Sequence, residues 1–160
     1  MISVAELHAY NTATALVRRK LRLSLVTSLT GVSQRTLRGI WREIHGEGAP
    51  NGKLPEFAQS LITSRQIAAS AAAFVSVYLQ QYGPVKGAIN AEHLMGAVDL
   101  SARFGNEVNI ATAFYCLRDL KAGFLMFPKC CQCGARYLYD SSGGRHLDRC
   151  PFCSHAPLKR

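Results

Sequence analysis

Two C-x-x-C pairs close the chain, Cys130–Cys133 and Cys150–Cys153, with sixteen residues between them. No other feature restricts the fold as much, because this is the spacing of a structural zinc site. Two sulfurs three positions apart on a tight turn reach one ion at about 2.3 Å, and a second such turn completes the tetrahedron. The turn residues agree, with Gly134 after the first pair and Pro151 inside the second. Between the pairs, "RYLY" and "RHLD" read as two short strands around "SSGG", a zinc-ribbon layout. The expected metal ligands are Cys130, Cys133, Cys150 and Cys153, holding one zinc ion per chain. Four protein ligands leave no open coordination position, so the ion is structural. Its binding is folding energy for a segment, residues 123–160, too small to carry its own core.

Other uses of cysteine fit less well. A disulfide framework needs an oxidising compartment. The N-terminus "MISVAELHAYNTATALVRRK" carries its positive charges after its apolar part, the wrong order for a secretory signal, so a cytoplasmic protein is expected. A redox C-x-x-C would not come with a matched second pair. Cys131 would make an unusual C-x-C with Cys133 and stays outside the ligand set, as do His146 and His155. Cys116, in "IATAFYCLRDL", falls on a helical pattern and reads as core.

Residues 1–122 read as a helical domain, giving a mainly α fold with a small C-terminal zinc-ribbon-like module. Val4, Leu7, Leu16, Val17 and Leu21 suit a first helix ending in the basic "VRRKLR". Two short helices around a turn follow, then the loop "GEGAPNGKLP". A single long helix is expected over 57–82, stopped by Gly83-Pro84. Two more fit 91–104 and 110–122, the second capped by Asn109 and ended by Gly123. No apolar run approaches the eighteen or so residues of a membrane span.

The two short helices, over about residues 23–45, match a helix-turn-helix. Thr27 stands at the small position of the first helix, Gly31 provides the turn, Val32 points inward and Ser33 caps the second helix. On that second helix Leu37, Ile40, Trp41 and Ile44 form one stripe at i, i+3, i+4 and i+7. Arg35, Arg38 and Arg42 recur at i, i+3 and i+7 on the opposite side, bordered by Gly39. Gln34, Arg35, Thr36 and Arg38 occupy the N-terminal half, the part of a recognition helix that reaches base edges. Guanidinium forks match guanine or phosphate oxygens. Together with Arg42 these are the expected DNA-contacting residues, while Trp41 on the apolar stripe reads as core. Arg18, Arg19, Lys20 and Arg22 offer further phosphate contacts. Nineteen Lys and Arg against ten Asp and Glu leave a net charge of +9, a balance that attracts polyanions.

The order of these features resembles the bacterial flagellar transcriptional activator family FlhC. The segment "TGVSQRTLRGIWREIHGEGAPNGKLP", an all-helical middle, and "CCQCG" followed by "CPFC" carry the resemblance over nearly the whole chain. It implies a hetero-oligomer with an FlhD-like subunit that binds promoter DNA and recruits RNA polymerase to flagellar genes. It also implies zinc ligation by Cys130, Cys133, Cys150 and Cys153, with no ligand role for Cys131. Members commonly continue beyond the second pair, where this sequence reads "SHAPLKR". An RNA- or ribosome-associated zinc-ribbon protein would share the charge and the cysteines but has no use for a helix-turn-helix. Catalysis is not expected. The carboxylates are scattered singly, and no phosphate-cradling glycine loop or nucleophile signature is present.

Overall fold

A computed structural model of the chain describes residues 1–157. The last three residues of the expected 123–160 module therefore lie outside the described residues. Within them the fold is helical: α1 (Val4–Arg18), α2 (Leu23–Thr30), α3 (Gln34–His45), α4 (Arg65–Tyr82), α5 (Ala91–Arg103) and α6 (Ile110–Ala122). No described residue belongs to a β-strand.

Local chemistry sets the helix ends. Ser3 and Glu6 form a capping box that starts α1. Ser33, Ser64, Asn90 and Asn109 each accept a backbone N–H from the first turn of α3, α4, α5 and α6. Gly31 ends α2 in the left-handed region at φ 75°, a conformation that a side chain would strain.

The helices pack as two groups sharing one core. In the first, α1 lies across α2 and α3; in the second, α4 packs on α5 and α6. Leu16, Val17, Leu37 and Trp41 close the first group, and Phe74, Leu94, Tyr115 and Leu117 the second. Between the groups, the two terminal nitrogens of the Arg19 guanidinium donate to the Asp99 carboxylate, at 2.7 and 2.9 Å. The pairing holds the Asp99 carboxyl below its usual range, against a smaller opposing effect of burial.

Two sequence expectations need correction. The long helix over 57–82 is broken. A short 3-10 turn, Ala58–Ser60, is followed by an irregular stretch, and α4 begins only at Arg65. Ser64 takes the N-cap role, and the Ala58 N–H, at the start of the 3-10 turn, donates to the buried Asp119 carboxylate at 2.7 Å. In α1, Leu16, Val17 and Leu21 are buried as expected, but Val4 is 86% and Leu7 52% exposed. The first turns of this helix run past the elements that cover its other end.

Thr27, at the packing position of the helix-turn-helix, keeps a buried hydroxyl oxygen with no hydrogen-bond partner. A buried polar group without a partner is a net cost, and valine fills nearly the same shape. Thr27→Val is expected to raise unfolding stability by about 1 kcal/mol, read from urea midpoints at constant m-value. A destabilised variant would mean that the hydroxyl has an interaction worth keeping.

Candidate metal centre and nucleic-acid face

The cysteine module is built from two copies of one turn. In the first, the Gly134 N–H donates to the Cys130 carbonyl at 2.9 Å and the Cys130 N–H to the Ala135 carbonyl at 2.8 Å. In the second, the Ser154 N–H donates to the Cys150 carbonyl and the Cys150 N–H to the His155 carbonyl, both at 2.9 Å. The residue after each pair adopts a left-handed conformation, Gly134 at φ 76° and Ser154 at φ 65°. The repeated turn points four sulfurs inward, and all four Sγ atoms lie within 4.8 Å of one another.

A tetrahedron with bonds of about 2.3 Å has edges of about 3.8 Å. The Cys130–Cys153 and Cys133–Cys150 sulfurs stand 3.6 and 3.7 Å apart. These two edges match a tetrahedral thiophilic cation, and the other four stay within 4.8 Å. Proton affinities point the same way. The Cys133 and Gln132 N–H groups stabilise the Cys130 thiolate and, against burial, bring it down to about 6. At Cys153 the His155 N–H also favours the thiolate. Burial and sharing of its proton with Cys130, Cys133 and Cys150 outweigh that and push it up to about 12. Burial likewise raises Cys150. Four sulfurs this close cannot all be anions in isolation; a cation among them removes the conflict.

Around the sulfurs the layout differs from the expected ribbon. "RYLY" does not pair with "RHLD" as a strand. It pairs with the entering segment, through antiparallel bridges Lys129↔Arg136 and Met126↔Tyr139. The first cysteine turn is itself the hairpin that folds 126–129 onto 136–139, which leaves 145–148 a looser return. One bond of that return, from the Asp140 N–H to the Leu147 carbonyl, measures 2.9 Å.

The module does not stand apart from the helices. Leu125, Leu138 and Leu147 join the main core, and Ala72 of α4 packs with Cys130, Tyr137 and Cys150. Arg65 at the start of α4 donates to the Pro151 and Phe152 carbonyls at 2.6 and 3.2 Å, clamping the second turn. Sequence reasoning missed Arg65 and Asp119. Each acts across more than fifty residues, and a lone charge carries no pattern. Cys131 lies outside the cluster, exposed, with its sulfur 3.2 Å from His155 Nε2. Cys116 is fully buried, and desolvation pushes its thiol up to about 12, so it is core as expected.

In the helical part, α3 is seated as its periodicity requires. Leu37, Ile40 and Trp41 are buried and Ile44 is half-buried. The His45 ring packs tilted against Trp41, with centroids 4.5 Å apart, and donates through Nε2 to the Val17 carbonyl at 2.8 Å, fixing α3 to α1. Gln34, Arg35, Arg38 and Arg42 are exposed. Thr36 is exposed too, but its hydroxyl lies 3.0 Å from the Ser33 hydroxyl within the cap. Beside the arginines Gly39 faces open space. The structure thus brings the five residues onto one solvent-facing helix, far in sequence from the cysteines.

Compared with known families, residues 2–159 match the family model described as flagellar transcriptional activator (FlhC). The chain belongs to the FlhC family. No individual curated protein matches it significantly. FlhC is a family of transcription regulators rather than enzymes, so membership makes this chain a flagellar transcriptional activator. In this FlhC-family chain the four-sulfur cluster is a group that could hold a metal ion. No described helix is long and apolar enough to cross a membrane.

Proposed function

We propose that this chain is the DNA-contacting subunit of a cytoplasmic activator. It would bind flagellar promoter DNA with an FlhD-like subunit and engage RNA polymerase. The observation that carries the reading is α3. Its buried stripe leaves Arg35, Arg38 and Arg42 in an exposed row, on a helix that follows a tight turn after α2. Gln34, Arg35, Thr36 and Arg38 lie in the half that would enter the major groove, with Arg42 further along. Residues 1–122 form the helical domain in this reading and 123–160 the metal module. Zinc is the metal assigned to Cys130, Cys133, Cys150 and Cys153, because a closed set of four thiolates suits it as a structural ion. The exposed Ile2, Val4 and Leu7 of the N-terminal segment supply apolar surface that the second subunit would cover.

Arg35→Ala is expected to weaken binding of the co-purified complex to flagellar promoter DNA by about 1–3 kcal/mol and to relax preference at one base pair. Fluorescence anisotropy on the promoter and on single-base variants measures both. Unchanged affinity on every duplex would place the arginine row away from DNA.

A further inference from the structure

The stretch 46–55 connects α3 to the 3-10 turn and carries no regular structure, yet it forms one wall of a polar cleft. The cleft has a volume of about 280 Å³. Its polar lining comes from three places: Arg22 and Ser24 at the start of α2, Gln34 and Arg38 on α3, and Asn51 with Gly52 from the loop.

Three features of this cleft converge on an anion. Two arginines line it and no acidic residue does. The start of α2 also borders it through Leu23 and Ser24, and no side chain caps that helix, so its positive dipole end lies beside the cleft. Finally, one wall is pre-set. Arg22 donates to the Gly52 carbonyl at 2.8 Å, which fixes the guanidinium and leaves its other N–H groups to a ligand. Of the neighbouring basic residues, Arg19 is already committed to Asp99, so the cluster before α2 does not act as a block.

We infer that this cleft is a phosphodiester-binding site that grips the DNA backbone beside the groove entered by α3, with the 46–55 loop as its outer wall. The inference rests on the DNA-binding reading and goes beyond it. It divides the arginine row, giving Arg38 with Gln34 to the backbone and leaving Arg35 to the bases. Backbone contacts set the register in which a recognition helix meets its site. Contacts from Arg22 and Arg38 to neighbouring phosphates fix how deep α3 sits.

The test needs no knowledge of the operator, because phosphate contacts are independent of sequence. The full chain, co-purified with its partner subunit, is titrated with salt on a labelled duplex of arbitrary sequence. Arg22→Gln and Arg38→Gln are each expected to flatten the plot of log K against log salt by about 0.9, the loss of one phosphate contact. Arg22→Lys keeps the charge and should keep the slope. Arg38 is exposed, so its variant folds even where Arg22→Gln does not. Slopes unchanged in both glutamine variants, with salt-dependent wild-type binding, overturn the cleft and leave the DNA reading standing. Wild-type complex that binds no duplex removes both. Saturation by inorganic phosphate alone, with unaltered duplex affinity in the variants, also overturns the assignment to the DNA backbone.

Discussion

Cys150→Ser is expected to abolish metal binding and unfold the packing of residues 123–157. Cys150 is fully buried, and its sulfur stands 3.7 Å from that of Cys133, close to the edge of a tetrahedron around a bound ion. Three thiolates and a hydroxyl bind zinc far more weakly than four thiolates. The metal is worth on the order of 10–16 kcal/mol in small zinc-folded segments, more than the stability of many domains. The damage should spread inward, because Leu125, Leu138 and Leu147 belong to the helical core and Arg65 grips the second turn. Elemental analysis should fall from one zinc per chain to none, and limited proteolysis should cut within 123–157. A variant that keeps one zinc and resists cleavage would disprove the tetrathiolate site.

Acid should act in the same direction. Cys150 and Cys153 have raised proton affinities, so at neutral pH both must shed protons to ligate. Apparent zinc affinity therefore rises with pH. Cys130 sits at about 6 and is already ionised at pH 7. Below that value it too must lose a proton to bind, and affinity should fall more steeply there. Competition with a chelator of known affinity, followed from about pH 8 to pH 5, measures this slope.

The sequence was most legible where one local rule fixed the outcome. The four cysteines announced their cluster through spacing, α3 through its period and its Ser33 cap, and α6 through its Asn109 cap and Gly123 stop. What stayed hidden depended on residues distant in the chain. The Ala58–Ser60 turn is tied to Asp119, sixty-one positions away, whose carboxylate accepts the Ala58 N–H. Nothing around Phe57 signals that carboxylate. Val4 and Leu7 fit an amphipathic helix, and periodicity says which side is apolar but not whether anything covers it. The pairing of 136–139 with 126–129 followed from the first cysteine turn being a hairpin, and spacing alone does not show which segment returns onto which. The polar cleft was hidden for a similar reason: Arg22, Arg38 and Asn51 meet only after the helix-turn-helix has folded.

The second large effect is expected at Trp41. The side chain is 2% exposed, lies against His45 and fills the space between α3 and α1. Trp41→Ala should cost about 3–5 kcal/mol, the usual range for emptying an aromatic site in a core. It should also weaken DNA binding, because the arginine row keeps its direction only while α3 keeps its seat. Trp41→Phe should be far milder. It retains most of the packed ring and removes an indole N–H that is buried without a partner, which offsets part of the lost volume. Arg35→Ala supplies the opposite case, with stability unchanged to within about 0.5 kcal/mol and DNA affinity reduced. Thermal unfolding and duplex binding measured on these three variants separate a core tryptophan from one that stacks on bases. A stacking role requires Trp41→Ala to lose affinity at full stability, and burial of the ring argues that stability falls first.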